Sequence, residues 1–406
     1  MRRLLFILDG LCESPKTVTT MEMARTPFLD ELAQRGGLAF LDLQPESGTE
    51  EFPTLYPPSS ERGILRLLGF PQEEPLPPRA TLLSCLFPHA ECEDGSMAIL
   101  LNPACYDSDG RLKDYVGDRE SIGRLWAFFD SVEAGDYYHD RESGLRIYPL
   151  REARKNTILR LLVRIPQKMA SSFSREDFVS PSLGKKYPRS DWAQWLLEKI
   201  THTTDVSGRL NGFWPWGAGP WHTIVPLTKP APSGGVMIAG APIARAIGAY
   251  MGLEHPFVPG ASGETDTDFP SIMRFARRYL ADGISPVVVH IEGFDLASHR
   301  KNREEKQSFL ERFDREASRD LLSLLESGEV DEVFLTSDHR SNPERGEHGA
   351  GPVPVLIVTG NKSFNQSGTT NGVRFTEAIA EKESQWDLTR WQKIWKDSAG
   401  EMVVWH

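Results

Sequence analysis

The sequence lacks a long hydrophobic run. No stretch approaches the roughly 20 apolar residues that a helix needs to span a bilayer. The first residues, MRRLLFILDG, combine a basic pair with a short apolar run, but Asp9 interrupts this run before it reaches the length of a signal-peptide core. We therefore expect no membrane partner and no secretory leader, and we predict a buried strand at residues 4–8.

Cysteines and basic clusters are also scarce. The four cysteines form no CxxC pair and are too few for a disulfide framework, which favours reduced thiols in a cytoplasmic protein. The formal net charge is −11, and there is no Lys/Arg block or stripe, so nucleic acid is not an expected partner. A chain of this charge would need bound cations to handle anionic phosphates.

Apolar runs alternate with helix-like segments in both end regions of the chain. The strand-like runs are residues 4–8, 286–290, 330–335 and 353–358, and the helix-like segments are residues 26–35, 272–281 and 304–327. This alternation predicts an α/β fold with a doubly wound, mostly parallel sheet. Ligands of such sheets bind at the carboxyl ends of the strands. Asp9, Asp295 and the Asp338-His339 pair follow three of these runs, which suggests one shared site.

The middle of the chain differs from both ends in composition and in its pattern of apolar residues. It contains most of the tryptophans and many irregular loops, but few strands that end at an acidic residue. Because 406 residues exceed the length of one typical domain, we predict two domains. The core domain is expected at residues 1–92 and 228–406, and a smaller inserted α+β domain that faces the substrate at residues 93–227.

Acidic and histidine residues in the last third of the chain are candidate metal ligands. Asp295 and His299 are four residues apart, a spacing that places them on one face of a helical turn or at the two ends of a tight loop. Asp338 and His339 are adjacent, so they can reach one cation only from a loop, and His348 follows nine residues later. The alternative for each group is a solvated polar loop.

Two further candidates lie near the N-terminus. Asp9 precedes Gly10, and Ser60 opens an amphipathic segment, so a turn Asp and a helix N-cap are the local alternatives. With the other candidates they supply three Asp, three His and one Ser, which suffices for two divalent cations, either Mn²⁺, Zn²⁺ or Mg²⁺. Coordination would lower the pKa of the serine hydroxyl, and Ser60 would then be a nucleophile without a neighbouring base.

The order of these motifs resembles the cofactor-independent phosphoglycerate mutases, in their archaeal-type branch within the alkaline phosphatase superfamily. The matching motifs are D-G, A-R-T-P-x-x-D-x-L-A-x-x-G, a Ser before L-L-G-F, H-I-E-x-x-D-x-x-x-H, S-D-H and H-x-x-x-P-V-P. The resemblance covers both core segments and the middle segment only loosely. It implies an alkaline phosphatase-like core in which one cation is held by Asp9, Ser60, Asp338 and His339, and the other by Asp295, His299 and His348.

The resemblance also implies roles for residues outside the metal set. Lys306 would orient the phosphoryl group, with a solvated helix lysine as the alternative, and Arg79 would bind phosphate. Glu311 and Asp314 are expected to pack or form ion pairs. The sequence departs from the family after the nucleophile, where S-E-R-G-I replaces S-D-V-A-N. The W-P-W-G-A-G motif at 214–219 is similar to a branch proposed to act as a homoserine kinase, with core packing of the tryptophans as the alternative.

The favoured function is therefore a mutase of the isomerase class that interconverts 2- and 3-phosphoglycerate through a phosphoserine at Ser60. Its partner would be a small phosphorylated metabolite. A homoserine kinase-like phosphotransferase or a phosphomonoesterase needs the same metal ligands and different substrate contacts. A metal-binding protein without catalysis is the remaining alternative.

Overall fold

The computed structural model describes residues 1–14, 16–43, 59–72, 74–87, 95–114, 119–131, 138–139, 145–150, 160–167, 210–221, 234–360 and 373–399. The strands in chain order are β1 Arg3–Leu8, β2 Gly37–Leu41, β3 Met97–Tyr106, β4 Leu112–Asp114, β5 Tyr138–His139, β6 Arg146–Leu150, β7 Arg160–Ile165, β8 Gly212–Pro220, β9 Val236–Ala239, β10 Val287–Ile291, β11 Glu332–Thr336, β12 Arg340–Asn342, β13 Glu347–Gly349, β14 Val353–Thr359 and β15 Ser384–Trp386. The α-helices are α1 Thr20–Met23, α2 Pro27–Arg35, α3 Ser60–Leu67, α4 Arg79–Ser84, α5 Arg119–Ser131, α6 Pro242–Tyr250, α7 Phe269–Ala281, α8 Gly293–His299, α9 Arg303–Phe313, α10 Arg319–Glu326, α11 Glu377–Ala380 and α12 Leu388–Ala399.

The chain divides into two compact units. The first consists of Met1–Leu76 and Val225–His406, and the second is Pro77–Ile224. The second unit thus begins before the inserted domain predicted at 93–227. The reason is α4, which packs against β3 and β8. The Thr81 hydroxyl of this helix donates a hydrogen bond of 2.8 Å to the Pro220 carbonyl.

The first unit is built on a sheet with the strand order β15-β2-β14-β11-β1-β10-β9. Among its described strands only β14 runs antiparallel to its neighbours. All residues of β1 and β10 are buried, as the continuous apolar runs in their sequences require for strands covered on both faces. The predicted α/β fold with a mostly parallel sheet is confirmed.

The predicted helix at 304–327 is interrupted. A π-helical turn, Asp314–Ser318, separates α9 from α10. The Asp314 carboxylate accepts hydrogen bonds from the backbone N–H groups of Leu29, at 2.7 Å, and Phe28, at 3.4 Å, in the first turn of α2. These donors have no partner within their own helix, so the Asp314 carboxylate caps α2. Asp314 was expected to pack or to form an ion pair, and its observed role is the capping of α2.

The second unit contains an antiparallel sheet with the order β4-β3-β7-β6-β5, and β8 also pairs with β3. Apolar side chains of α5 form one buried cluster with residues of β3, β6 and β7. Trp214 is buried beside Tyr106, so packing accounts for this tryptophan. No helix within the described parts of either unit is long and apolar enough to cross a membrane.

Candidate metal centre

The seven candidate ligands lie in the first unit, at or beyond the ends of its strands. They are Asp9 after β1, Ser60 at the start of α3, Asp295 and His299 on α8, Asp338 and His339 after β11, and His348 in β13. Because β10, β1 and β11 are parallel neighbours, their carboxyl ends meet at one edge of the sheet. The fold therefore gathers residues that are up to 339 positions apart in the sequence.

The first cluster consists of Asp9, Ser60, Asp338 and His339. Nε2 of His339 lies 3.1 Å from Asp9 Oδ1, 3.6 Å from Asp338 Oδ2 and 3.2 Å from Ser60 Oγ. The Ser60 hydroxyl is also 3.5 Å from Asp9 Oδ2. Four side chains from three separate segments thus direct oxygen and nitrogen atoms toward one small volume.

The second cluster consists of Asp295, His299 and His348. Nε2 of His299 lies 3.0 Å from Asp295 Oδ2 and 3.1 Å from Nε2 of His348. The distance between His348 Nε2 and Asp295 Oδ1 is 3.4 Å. Asp295 and His299 share a face of α8, as their spacing of four residues predicts.

The two clusters adjoin each other. Donor atoms of Asp9, Asp295 and His339 lie within 4.8 Å of one another, so one residue set spans both clusters. Ser341 connects them further, because its hydroxyl donates a hydrogen bond to Asp295 Oδ1 and lies 3.4 Å from His339 Nδ1. Two neighbouring cations would fit this arrangement.

The orientation of two imidazole rings suits metal binding. Nδ1 of His299 is 2.9 Å from the Gly346 carbonyl, and Nδ1 of His339 is 3.1 Å from the Arg340 carbonyl. A carbonyl can only accept, so in each ring Nδ1 carries the proton and donates it when the imidazole is neutral. The lone pair of Nε2 then faces the cluster, which is the arrangement found in metal-binding histidines.

Buried carboxylate oxygens without hydrogen-bond donors are a second indication that these residues can bind a cation. Asp9 Oδ1 and Asp338 Oδ2 are buried and accept no hydrogen bond from any residue that the structure describes. Buried charged oxygens without donors are strongly destabilising unless a cation neutralises them. Carboxylate oxygens, imidazole nitrogens and a hydroxyl form a donor set suited to Mn²⁺, Zn²⁺ or Mg²⁺, so the residues support divalent metal binding.

The electrostatics of the first cluster also support cation binding. Burial raises the pKa of Asp9, but the adjacent His290 and His339 rings outweigh it and lower this pKa to about 2. Burial and the negative charge of Asp9 raise the pKa of Asp338 to about 7. Burial lowers the pKa of His339, yet Asp338 and Asp9 bring it up to about 10. Without cations the cluster retains protons, and cation binding is expected to release them.

Ser60 is the first residue of α3 rather than its N-cap. The N-cap residue is Ser59, whose side chain forms no capping hydrogen bond. The Ser60 hydroxyl is therefore directed to the first cluster and has no part in capping. Gly63, one turn later, lets α3 approach the backbone that follows β11, since a Cβ at this position would lie 2.2 Å from the Asp338 carbonyl oxygen. The backbone of α3 thus positions the hydroxyl.

We expect the Gly10→Ala variant to lose cation affinity. Gly10 has a φ of +63°, and a Cβ here would lie 2.7 Å from both Asp295 Oδ1 and Ser341 Oγ. The added methyl must displace Asp295 and strain the backbone, at a cost of about 1–3 kcal/mol. Titration calorimetry with Mn²⁺ should show weaker binding, whereas Gly283→Ala, where a Cβ meets nothing within 4 Å but φ is also positive, controls for strain alone. Equal affinities in the two variants would contradict the expectation.

Lys306 and Arg79, which the resemblance implies to orient and to bind phosphate, are not members of either cluster. Lys306 is fully buried in α9, where its ammonium group is 3.2 Å from Glu13 Oε1 and donates to the Ser341 carbonyl at 3.2 Å. The solvated-lysine alternative is therefore wrong, and the role of Lys306 in orienting the phosphoryl group stays a prediction. Arg79 begins α4 in the second unit, with its guanidinium 5.5 Å from the centre of the Trp216 ring. Its phosphate contact stays a prediction.

Sequence reasoning missed two residues at the site. His290 ends the apolar run V-V-V-H-I, and its Nε2 lies 3.1 Å from Asp9 Oδ2. The available signal was a histidine in an otherwise apolar strand, at the first position of the H-I-E-x-x-D motif that contains Asp295. Ser341 had no comparable signal, because its contact with Asp295 depends on the β12–β13 hairpin, in which it pairs with His348.

Comparisons with known proteins agree with this geometry. The chain is 24% identical over 401 residues to a 2,3-bisphosphoglycerate-independent phosphoglycerate mutase of Methanosarcina mazei, covering 92% of this chain and 96% of the relative. A Methanothrix thermoacetophila protein of the same name is 26% identical over 379 residues, covering 88% and 91%. Each is a full-length relative of low identity.

Solved structures show the same fold. A protein from Pyrococcus horikoshii has a TM-score of 0.68 at 20% identity, covering 99% of this chain and 98% of that one. A cofactor-independent phosphoglycerate mutase from Thermoplasma acidophilum has a TM-score of 0.52 at 16% identity, covering 98% and 100%. The predicted α/β fold is thus shared with a solved cofactor-independent phosphoglycerate mutase. The model of the metalloenzyme superfamily matches residues 1–379, and the chain belongs to this family.

Proposed function

We propose that this protein is a phosphoryl-transfer enzyme with two divalent cations and Ser60 as its nucleophile, most similar in activity to a phosphoglycerate mutase. The observation that supports this proposal most directly is the position of Ser60 Oγ, which lies 3.2 Å from His339 Nε2 and 3.5 Å from Asp9 Oδ2. The hydroxyl lies at the N-terminal end of α3, where the backbone favours an anion. Cytoplasmic localisation and a small phosphorylated metabolite as substrate complete the proposal.

The reaction proceeds in two transfers. The Ser60 hydroxyl loses its proton and Oγ attacks the phosphorus of the substrate; the bond to the ester oxygen breaks, that oxygen takes up a proton, and a phosphoserine forms. A hydroxyl of the same bound molecule then loses its proton and attacks this phosphorus, the bond to Ser60 Oγ breaks, and Ser60 is protonated again. Bound divalent cations would lower the pKa of the Ser60 hydroxyl and offset the charge of the phosphoryl group. Asp9, Ser60, Asp338 and His339 would hold one, and Asp295, His299 and His348 the other.

Retention of the substrate between the two transfers distinguishes a mutase from a phosphatase. The released glycerate must rebind or turn while water is excluded. We propose that the inserted domain, which we predicted at 93–227, provides this contact surface. The basic residues Arg151, Arg154 and Lys155 are its sequence candidates and lie outside the described residues. The names of the full-length relatives support a mutase over a kinase or a phosphatase.

A panel of reactions tests the proposed function. Dialysed protein is expected to be inactive and to interconvert 2- and 3-phosphoglycerate when Mn²⁺, Zn²⁺ or Mg²⁺ is added. The same samples are assayed for phosphate release from an aryl phosphate and for ATP-dependent phosphorylation of homoserine. Interconversion without phosphate release supports the mutase. Phosphate release alone indicates a phosphomonoesterase, homoserine phosphorylation a kinase, and inactivity with every cation would exclude an enzyme of this class.

A further inference from the structure

His290 is a buried histidine beside the first cluster that the seven-residue set does not include. It is the fourth residue of β10 and pairs with Ile7 of β1. His290 therefore lies next to the end of β1, which Asp9 follows. Its side chain is fully buried. Neither ring nitrogen forms a hydrogen bond with a residue in the described part of the chain. Such a ring is costly to bury unless another partner binds it.

The position of the ring identifies that partner. Donor atoms of Asp9, His290 and Asp338 lie within 4.8 Å of one another. His290 Nε2 is 3.1 Å from Asp9 Oδ2. Two ligand atoms that each lie about 2.0–2.2 Å from one cation are roughly 2.8–3.6 Å apart at bond angles of about 90–110°, so this separation suits shared coordination. Asp9 Oδ1 and Asp338 Oδ2, the oxygens without hydrogen bonds, belong to the same group.

We propose that His290 is a further ligand of the cation held by Asp9 and Asp338. The site then takes two imidazole nitrogens, from His290 and His339, in addition to its oxygen ligands. Nitrogen ligands suit Zn²⁺ better than Mg²⁺, which prefers oxygen. His290 would thereby shift the selectivity of the first site toward Zn²⁺ and leave the second cluster unchanged. The inference rests on the proposed pair of cations, but not on the identity of the substrate.

The competing role for His290 is that of a positioning residue, which donates a proton to Asp9 without touching the cation. The two roles differ in one observable quantity, the number of histidine rings bonded to metal. Protein labelled with nitrogen-15 histidine and loaded with two equivalents of cadmium-113 reports this number, because a direct bond splits the nitrogen resonance. We expect split nitrogen resonances from four rings, hereafter split rings, which are those of His290, His299, His339 and His348. Three split rings, or no cadmium binding, would overturn the proposal.

Substitutions assign the fourth ring. His290→Gln is expected to remove one split resonance and to weaken Zn²⁺ binding by more than the roughly 10–100-fold that is typical of residues that only orient a ligand, with a smaller change for Mg²⁺. His255→Gln, a half-buried histidine of the first unit, is the matched control and should retain all four. An unchanged number of split rings in His290→Gln would overturn the assignment.

Two further outcomes separate this proposal from the proposed function. If His290→Gln does not fold, the ring count of the unsubstituted protein decides the question alone. Four split rings in a protein that does not interconvert phosphoglycerates would overturn the substrate assignment and support His290 as a ligand. Three split rings in an active mutase would overturn the role of His290 only.

Discussion

The Ser60→Ala variant is expected to lose phosphoglycerate interconversion, with kcat lowered by about 10⁴-fold or more. The Ser60 hydroxyl is the oxygen that must become bonded to phosphorus, and no other group can replace it in a phosphoserine pathway. Mass spectrometry of the protein quenched during turnover should detect phosphate on Ser60, and none in the variant. Retained turnover in Ser60→Ala would show that water attacks the substrate directly.

The same substitution should leave the fold intact, which makes its activity loss interpretable. Ser60 is the first helical residue, its side chain caps nothing, and alanine favours helices. We expect the free energy of unfolding to change by no more than about 0.5 kcal/mol. Ser59→Ala is the matched control, because Ser59 is adjacent and its hydroxyl also makes no capping hydrogen bond. This control should keep both activity and stability.

The core of the fold was predictable because its strands are buried on both faces. Such strands are continuous apolar runs, and β1, β10, β11 and β14 were each recognised from them within two residues. The interruption of the helix predicted at 304–327 was not predictable, because it involves a contact between Asp314 and Leu29, 285 positions away. The packing of α4 against β3 and β8, which includes this helix in the second unit, is likewise a contact between distant parts of the sequence.

The candidate ligands were predictable where two ligand residues lie close together in the sequence or directly follow an apolar run. Asp295 and His299 share a helical face, and Asp338 and His339 end an apolar run. His290 was missed because a lone histidine in a strand has no local pattern that distinguishes a ligand from a core residue. The role of Lys306 depended on resemblance alone, and only the three-dimensional structure places its ammonium group beside Glu13.

Lys306 lies in a buried polar network that connects three segments of the first unit. Glu13 Oε1 is 3.2 Å from the Lys306 ammonium group and also accepts a hydrogen bond from the Thr20 hydroxyl at 2.5 Å. The carboxylate of Glu377 accepts from the Glu13 backbone N–H at 2.8 Å. Lys306 also donates to the carbonyl of Ser341, whose hydroxyl contacts Asp295. Its charge therefore stabilises buried carboxylates and supports the loop beside the metal centre.

The Lys306→Met variant is expected to be destabilised by about 3–5 kcal/mol, because it removes one partner of a buried ion pair. Arg303 remains 3.3 Å from Glu13 Oε2, which favours the lower end of this range. Urea unfolding measures the loss, and Lys382→Met, at an exposed lysine of the same unit, should change stability little. Adding Glu13→Gln to Lys306→Met should make the double variant more stable than the sum of the two single losses, by about 0.5–3 kcal/mol.

The pH dependence of this loss separates a structural role of Lys306 from a catalytic one. Burial raises the pKa of Glu377 to about 7, so the stability gained from its preferential protonation in the folded state is present below its ordinary pKa and disappears as the pH rises through 7. Without Lys306 the ionised Glu377 carboxylate loses the buried positive charge with which it interacts, and the destabilisation should be larger at about pH 8 than at about pH 6. A Lys306→Met protein of normal stability at both values that nevertheless loses turnover would instead support the phosphoryl contact that the sequence resemblance implies.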